Sequence, residues 1–411
     1  MKSSFISEFK EREYYNQCTN SEELDNLMNN KKINAYIGFD CTAQSLHVGS
    51  LLQIMCLRML QKYGHRPIVL LGGGTTMIGD PSGKEETRKI LSIKEIDKNI
   101  RNIKKVFDIF LDKKNLRTKP IFVNNFKWLS KLNYIKFLRE IGKHFTINKM
   151  LSFDSVKLRL DREQSLSYVE FNYMILQAYD FLELNKKNNC LVQIGGSDQW
   201  GNIVNGVELI KRSSGNQAFG LTTPLITLAS GTKMGKTEKG AVWLDKKLLS
   251  PYDYWQFWRN TDDRDVIKFL KMFTDKEISE IENMRNKNIN DLKILLANET
   301  TSMLHGKAAA KKAADTAKKT FDAGTFGDDL PIIRLKKDEL SNGINIIDIV
   351  VRSNLLKSKS EVRRAIKNFG IKVNNNSIAQ ENSNITISDF KDNILKLSHG
   401  KKNHVLVKII N

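Results

Sequence analysis

The segment His47-Val48-Gly49-Ser50 has the residue types and the setting of a phosphate-binding site. Alternating residues at 34–39 predict a buried strand before it, and helically spaced apolar residues at 51–60 predict a helix that begins near His47. The N–H groups and dipole of a helix N-terminus attract phosphate. The imidazole adds a hydrogen-bond donor, and Gly49 lets a ligand approach the backbone closely. Taken alone, so short a segment is more often an ordinary helix start.

The loop Lys233-Met234-Gly235-Lys236-Thr237 places two lysines among small residues. It has two interpretations. The lysines are point charges in a mobile clamp that closes on a polyphosphate, or the loop is a solvated basic turn of the kind that is common in so basic a chain.

A third group of polar residues lies on one predicted helix. Ser167 and Glu170 have capping-box spacing, which predicts that a helix begins here. Tyr173, Gln177 and Asp180 are then four and three residues apart, so they share one face of that helix. This stripe either lines a site or faces solvent, and the spacing alone favours neither.

Two further strands lead into loops that are rich in glycine. Residues 67–71 precede Gly72–Lys84, and residues 190–194 precede Gly195–Gly201, in which Asp198 is well placed to accept hydrogen bonds from a ribose. The alternation of strands and helices predicts an α/β catalytic domain with a doubly wound, Rossmann-like parallel sheet, which binds its ligands at the carboxyl ends of the strands. The other predicted elements are polar helical segments at 8–15 and 22–28, helices at 92–111, 128–141 and 203–212, and a strand at 121–123.

Composition limits the class of protein. The 411 residues are 40% hydrophobic and 27% charged, as in soluble globular proteins, and no apolar run is long enough to span a membrane. The N-terminus does not resemble a targeting segment, so we expect a cytoplasmic protein without membrane contact. The four cysteines lack the spacing of metal or disulfide sites and are expected to be reduced. The net charge of +20 favours a polyanionic partner such as nucleic acid.

The chain divides into four predicted parts. Residues 1–228 form the catalytic domain, 229–322 the lysine loop with an α-helical domain, 323–332 a linker, and 333–411 a small basic α+β module. Residues 331–411 contain 15 Lys and Arg against 7 Asp and Glu. A predicted helix there carries Lys359, Arg363, Arg364 and Lys367, which either contact an RNA backbone or form a solvated face.

Together these segments resemble one family. His47 to Ser50 resembles the HIGH motif of class I aminoacyl-tRNA synthetases, and Lys233 to Thr237 resembles their KMSKS loop. Ser50 and Gly235 depart from these motifs, replacing a histidine and a serine. The segments 36–40, 79–82, 173–180 and 195–201 resemble the bacterial tyrosyl-tRNA synthetases, and the C-terminal module resembles their S4 RNA-binding domain. The resemblance covers nearly the whole chain.

The resemblance implies a ligase that activates L-tyrosine with ATP, accompanied by Mg²⁺, and then charges tRNA(Tyr). It also implies a homodimer, and it suggests no metal ligands from the protein. Catalysis would come from positioning and from stabilisation of charge. The residues that it implies for catalysis are His47, Lys233, Lys236, Thr42 and Ser50, with Lys84 as a weaker candidate. Those for tyrosine are Tyr36, Asp180, Tyr173, Gln177, Asp80, Asp40 and Gln199. Those for ATP are Gly38, His47, Gly49, Gly196, Asp198, Lys233, Lys236 and Thr237.

Three alternatives remain at this stage. A tryptophanyl-tRNA synthetase would share the fold and both motifs, but we would not expect it to pair Tyr36 with Asp180. A non-catalytic RNA-binding relative would be expected to have lost His47, Lys233 or Asp198. A nucleotidylyltransferase would need only the histidine segment and not the lysine loop.

Overall fold

The computed structural model describes residues 4–80, 91–163, 166–237, 240–322, 330–340, 343–391, 393–400 and 403–410. Within these ranges the side chains of residues 154, 155, 158, 236, 237 and 319–322 are outside the description. The chain forms two compact units, the first from residues 1–250 and 257–304, the second from residues 251–256 and 305–411.

The first unit is built on a six-stranded sheet. The predicted strands at 34–39, 67–71, 121–123 and 190–194 are confirmed. The sheet also contains two strands that the sequence did not predict, at 17–18 and 219–223. Its members are β1 (Gln17–Cys18), β2 (Asn34–Asp40), β3 (Arg66–Gly72), β4 (Ile121–Asn124), β5 (Cys190–Gly196) and β6 (Phe219–Thr223), and a separate hairpin contains β7 (Lys236–Thr237) and β8 (Gly240–Ala241).

The strand order of this sheet is β1-β6-β5-β2-β3-β4. Neighbouring strands from β6 to β4 pair in parallel, as predicted, whereas β1 pairs antiparallel with β6 at the edge. In register, Asp40 at the end of β2 is the partner of Gly72 at the end of β3. A side chain on Gly72 would place its Cβ 2.5 Å from the Asp40 carboxylate, so only glycine fits here. Parallel pairing thus brings the strand ends, with their polar residues, to one edge.

Helices surround this sheet. The predicted helix at 128–141 is wrong in extent, because the Asn133 side chain accepts a hydrogen bond from Lys136 N and starts a new helix there. The predicted loop after residue 71 contains a short helix, α4, and the first helix is less polar than predicted, since Phe5 and Phe9 are buried. The helices are α1 (Phe5–Glu11), α2 (Ser21–Asn30), α3 (Leu51–Lys62), α4 (Thr75–Ile78), α5 (Ile93–Phe110), α6 (Phe126–Leu129), α7 (Tyr134–Glu140), α8 (Ile147–Leu151), α9 (Asp154–Asp161), α10 (Tyr168–Asn188), α11 (Trp200–Ser214), α12 (Pro251–Arg259), α13 (Val266–Phe273), α14 (Ile278–Asn283) and α15 (Ile289–His305).

The second unit contains a small α+β module. Its five-stranded sheet has the order β12-β11-β14-β15-β9, and its core consists of aliphatic residues from the sheet and two helices. The predicted helix after Ser358 and the predicted strand after Gly370 are both confirmed. The elements are α16 (Lys307–Asp322), β9 (Ile332–Lys336), β10 (Ile344–Asn345), α17 (Ile346–Arg352), α18 (Lys359–Lys367), β11 (Ile371–Val373), β12 (Asn376–Ser377), β13 (Asn384–Ile385), β14 (Ile394–His399) and β15 (Asn403–Ile410). Among the helices described, none is long and apolar enough to cross a lipid bilayer.

A buried ion cluster ties α1 to the end of α3, the helix that follows His47. The Glu8 carboxylate accepts hydrogen bonds from Arg12 Nε at 2.6 Å, Lys62 Nζ at 2.7 Å and Tyr63 OH at 2.6 Å. Burial alone would raise the pKa of Glu8, but these three hydrogen bonds outweigh it and lower the pKa below its usual 4.5. Glu8 therefore stabilises the folded state in its ionised form.

We expect Glu8→Gln to lower the free energy of unfolding by about 2–4 kcal/mol, because it leaves the buried Arg12 guanidinium without its anion. Because the folded-state pKa is depressed, the stabilisation is present above the unfolded pKa and is lost as pH falls through the folded value. Urea unfolding at pH 7 and at pH 3 measures both effects. The exposed Glu11→Gln is the matched control. Equal stability of the two variants at pH 7 would contradict the role of the cluster.

Candidate active site

A cavity of about 330 Å³ opens at the carboxyl ends of the parallel strands. Tyr173 and Asp180 are 6% and 2% exposed, so the polar stripe on α10 faces this cavity and not solvent. The sequence-predicted residues that line it are Tyr36, Gly38, Asp40, Gly49, Ser50, Asp80, Tyr173, Gln177, Asp180, Gly196, Asp198 and Gln199.

Asp180 is the most deeply buried carboxylate of the cavity. Asn125 Nδ2 donates to Asp180 Oδ2 at 2.9 Å, and Trp128 Nε1 donates to Asp180 Oδ1 at 2.7 Å. Burial raises the pKa of Asp180 to about 7, and the charge of Asp40 adds to the rise, whereas the two hydrogen bonds oppose it. Without these two donors the ionised form would be still less favourable.

Tyr36 places its phenol hydroxyl in the same part of the cavity. Among the described residues no group hydrogen-bonds to this buried hydroxyl. Burial raises the pKa of Tyr36 well above 10, and the charge of Asp180 raises it further, so the phenol stays protonated. The buried Gln193 Oε1 also lacks a partner in the described part of the chain, and Gln193 is the register partner of Tyr36. Two unpaired polar atoms in a cavity are well placed to receive a polar ligand.

A chain of hydrogen bonds joins Asp180 to Asp40. Asn125 Nδ2 donates to Thr75 Oγ1 at 3.0 Å as well as to Asp180, and Thr75 Oγ1 donates to Asp40 Oδ1 at 2.9 Å. Gly74 N donates to Asn125 Oδ1 at 2.7 Å, which fixes the orientation of that amide. The hydroxyl of Tyr173 lies 3.4 Å from both oxygens of Asp40. The acceptor groups of one cavity wall are thus held in fixed positions.

A second polar group lies across the cavity. Gln199 Nε2 donates to Asp80 Oδ2 at 3.0 Å, and Asn202 Nδ2 donates to both Gln177 Oε1 and Gln199 Oε1 at 3.1 Å. Burial raises the pKa of Asp198 and the charge of Asp80 adds to this, whereas the nearby charge of Lys233 lowers it. This wall is acidic and therefore favours a cationic group.

His47 caps the helix start, as predicted. Its Nδ1 accepts a hydrogen bond from Gly49 N at 3.0 Å, and a turn of 3₁₀-helix over Val48–Ser50 leads into α3. Because Nδ1 accepts, the neutral ring carries its proton on Nε2. The hydrogen bond from Gly49 N therefore fixes the orientation of the His47 ring at the helix start.

The lysine loop packs directly on this segment. A Cβ on Gly235 would lie 2.7 Å from His47 Nδ1 and 3.1 Å from Gly49 N, and its φ of +115° also favours glycine. Backbone hydrogen bonds from Val48 N to Val242 O and from Met234 N to Ile226 O hold the loop beside it. This contact gives a physical reason for glycine where the related motif has serine.

The remaining predicted residues fall elsewhere. His47, Thr42 and Lys233 are not among the residues that line the cavity, and Thr42 and Lys233 are exposed. Lys84 and the side chains of Lys236 and Thr237 lie outside the described residues. Among the residues that the structure describes, no group of three or more His, Cys, Asp or Glu could hold a metal ion.

The predicted RNA-contacting residues all lie on α18 in the second unit. Lys359 Nζ is 2.7 Å from Asp348 Oδ1, and Arg363 Nε is 3.5 Å from Glu381 Oε2. Arg364 and Lys367 are exposed. All four side chains belong to the solvent side of the helix, opposite the buried Val362 and Ile366.

Sequence reasoning missed several polar residues of the cavity region, among them Gln53, Thr75, Asn125, Trp128 and Gln193. Asn125 follows the end of a strand, and Gln193 lies within a buried apolar strand, and both positions are signals that could have found them. Thr75 was noticed in its loop without a role. No sequence signal indicates Trp128.

Two models of known families together match residues 28–407. The family "tRNA synthetases class I (W and Y)" matches residues 28–322, and the "Tyrosine--tRNA ligase SYY-like C-terminal domain" matches residues 323–407. The C-terminal module thus matches a domain that accompanies this class of catalytic domain.

Two bacterial relatives are similar over 99% of this chain. The chain is 67% identical over 406 residues to a tyrosine–tRNA ligase of Pelagibacter ubique, which covers 99% of each protein. It is 53% identical to a tyrosine–tRNA ligase of Caulobacter vibrioides, covering 99% of this chain and 98% of the relative.

Solved structures agree with this assignment. The chain resembles a C-terminally truncated mitochondrial tyrosyl-tRNA synthetase of Aspergillus nidulans with a TM-score of 0.71 and 30% identity, over 78% of this chain and 95% of that one. A tryptophanyl-tRNA synthetase of Plasmodium falciparum, at 13% identity and a TM-score of 0.55, shares the fold alone, over 74% of this chain and 84% of that one. The chain therefore belongs to the class I tRNA synthetases for tryptophan and tyrosine and, within them, to the bacterial-type tyrosyl-tRNA synthetases.

Proposed function

We propose that this chain joins L-tyrosine to tRNA(Tyr) in the cytoplasm, in two steps at the cavity described above. The tyrosine carboxylate attacks the α-phosphorus of ATP, the bond to the bridging oxygen breaks, and pyrophosphate leaves. A hydroxyl of the terminal tRNA ribose then attacks the tyrosyl carbonyl and AMP leaves. One observation supports the choice of tyrosine. The same cavity contains the buried Asp180 carboxylate and a Tyr36 hydroxyl to which no described group forms a hydrogen bond.

The phenol of the substrate would lie between these two groups. The Asp180 carboxylate, fixed by Asn125 and Trp128, accepts a hydrogen bond from the substrate hydroxyl, and the Tyr36 hydroxyl donates one to the substrate oxygen. A buried pair of this kind rejects phenylalanine, because both groups would remain unpaired in its complex. Indole has a donor but no hydroxyl oxygen to accept from Tyr36, which argues against tryptophan.

The acidic wall would bind the α-ammonium group of tyrosine. Asp80, held by Gln199, is the main anion, with Tyr173 and Gln177 as hydrogen-bonding partners. Asp40 lies close by at the end of its polar chain. The carboxylate of the substrate then points toward the phosphate-binding end of the cavity.

ATP would bind across the glycines at the strand ends. Gly38, Gly49 and Gly196 allow close approach of the backbone, and Asp198 accepts hydrogen bonds from the ribose. His47 Nε2–H donates to a phosphate oxygen, helped by Ser50 and Thr42, and Lys233, Lys236 and Thr237 act on the departing pyrophosphate. Mg²⁺ would arrive as part of the ATP substrate, bound to its phosphates.

The experiment that tests this proposal is amino-acid-dependent exchange of pyrophosphate into ATP, followed by charging of tRNA(Tyr). We expect exchange with tyrosine and neither exchange nor charging with tryptophan or phenylalanine. Exchange with tryptophan would overturn the specificity, and no exchange from a folded, ATP-binding protein would overturn the reaction.

We also propose that the chain acts as a homodimer through a contiguous apolar face. This face consists of Met77, Phe126, Tyr134, Leu138, Tyr168 and Val169, each more than a third exposed. It borders a groove of about 500 Å³. The hydroxyls of Tyr134 and Tyr168 lie 2.9 Å apart and join two of its elements. An apolar surface of this extent is typical of an interface between subunits.

We expect Val169→Glu to convert the dimer to a monomer, because it places an unpaired charge in the apolar face. Sedimentation equilibrium measures the change in mass. Leu116→Glu, at a residue that is 77% exposed and is not part of this face, is the control and should leave the mass unchanged. A Val169→Glu protein with the mass of the parent would place the interface elsewhere.

We expect Asp180→Ala to reduce the preference for tyrosine over phenylalanine by roughly 10- to 100-fold, the cost of leaving a buried hydroxyl without its acceptor. The ratio of kcat/KM for the two amino acids in the exchange assay measures it. Lys233→Ala is the comparison, since it should slow exchange with tyrosine and leave the ratio intact. Equal losses of preference in both variants would refute the assignment of Asp180.

We expect Gly235→Ala to slow adenylate formation by about tenfold or more while the KM for tyrosine is unchanged, because the methyl group would displace the lysine loop from His47. Single-turnover formation of tyrosyl-adenylate measures the rate. Gly240→Ala is the matched control, with a φ of +113° and no atom of the described residues within 4 Å of the added methyl group. Equal rates in the two variants would mean that backbone strain, and not the contact with His47, causes the loss.

A further inference from the structure

Phe369, directly after the basic helix α18, is held in an unusual backbone conformation. Its φ is +53°, in the left-handed region that disfavours bulky side chains. Phe369 N donates to Ile366 O at 2.9 Å and Gly370 N donates to Ala365 O at 2.8 Å, which closes the end of the helix. This left-handed position at a helix end is usually occupied by glycine. The only nearby glycine, Gly370, follows one residue later and has no positive φ.

The strained residue does not use its ring for packing. Phe369 is 61% exposed, whereas Val362 and Ile366 of the same helix are buried in the core of the module. An exposed aromatic ring at a strained position gains nothing for stability from burial. Backbone strain that packing does not explain is a reason to look for a functional contact.

Two exposed cations lie shortly before Phe369 in the chain. Arg364 and Lys367 precede it on α18, and neither forms an ion pair with another residue that the structure describes, whereas Lys359 and Arg363 pair with Asp348 and Glu381. Unpaired cations favour the phosphates of a nucleic acid. An aromatic ring beside such cations is the combination with which proteins bind unpaired bases, by stacking on the ring while the cations follow the backbone.

We propose that Phe369 stacks on an unpaired nucleobase of the bound RNA, with Arg364 and Lys367 on the adjacent phosphates. The inference rests on the proposed RNA-binding role of this module and adds to it a specific contact with a base. Because stacking requires an exposed base face, the ligand is a single-stranded or looped segment of RNA and not a continuous duplex.

The test compares the full-length chain with Phe369→Gly, Phe369→Leu and Phe369→Tyr. The probe is a tRNA(Tyr) transcript, and its affinity is measured at several salt concentrations. We expect the Gly and Leu variants to bind about tenfold more weakly and the Tyr variant to bind like the parent.

The Gly variant should also unfold at a higher temperature, since glycine relieves the strain at this φ. A purely structural role predicts the same gain in stability for the Gly variant but an RNA affinity equal to that of the parent, and that result would overturn the inference. Ile387→Ala, at another exposed apolar residue of the module, should have the affinity of the parent.

Two further measurements separate this inference from the proposed function. The Arg364→Ala/Lys367→Ala double variant should reduce the slope of log affinity against log salt, whereas Phe369→Gly should leave the slope unchanged, because the ring neutralises no phosphate. With a blunt RNA duplex as the probe, Phe369→Gly and the parent should bind equally. If Phe369→Gly binds the transcript as tightly as the parent while the double variant loses affinity, the stacking inference fails alone. If neither variant changes the affinity, α18 is not the RNA-binding surface and both fail.

Discussion

The buried carboxylate of Asp180 is the constraint around which the cavity is arranged. A charge removed from water must be compensated, and two donors, Asn125 Nδ2 and Trp128 Nε1, supply most of that compensation. They do not supply all of it, since the pKa of Asp180 remains raised to about 7. A ligand hydroxyl that donates to the carboxylate completes the compensation. Under the proposed function, this incomplete compensation explains both why the site binds the phenol of tyrosine and why it rejects phenylalanine, which has no hydroxyl.

The site consists of one fixed part and one part that is assembled by contact between loops. In the fixed part, Asn125 is oriented by Gly74 N and joins Asp180 to Thr75, so the acceptor geometry is set by the sheet. At the phosphate end, His47 is oriented by Gly49 N and covered by Gly235 of the lysine loop. Under the proposed function, recognition of tyrosine depends on rigid elements, whereas the phosphate chemistry depends on how closely two segments approach.

The sequence predicted those parts of the site that depend on local spacing. Tyr173, Gln177 and Asp180 share a face because of helical periodicity, and the glycine loops meet because parallel strands end at one edge. It could not predict Trp128 as the partner of Asp180, because that hydrogen bond joins residues 52 positions apart. The sequence also could not decide whether the polar stripe on α10 lines a site or faces solvent. The burial of Tyr173 and Asp180 in the structure decides this. The helix predicted at 128–141 was wrong because a local Asn cap outweighed the apolar pattern.

The central claim is that the Asp180 carboxylate, kept ionised by Asn125, binds the phenol of tyrosine. The most direct measurement is the affinity for tyrosine between pH 5.5 and 8.5 in the parent and in Asn125→Ala. We expect the affinity of the parent to fall below a midpoint near pH 7. The midpoint should move to higher pH in Asn125→Ala, because the hydrogen bond from Asn125 lowers the pKa of Asp180 and its loss lets that pKa rise. A midpoint that is the same in both proteins, or an affinity independent of pH, would contradict the claim.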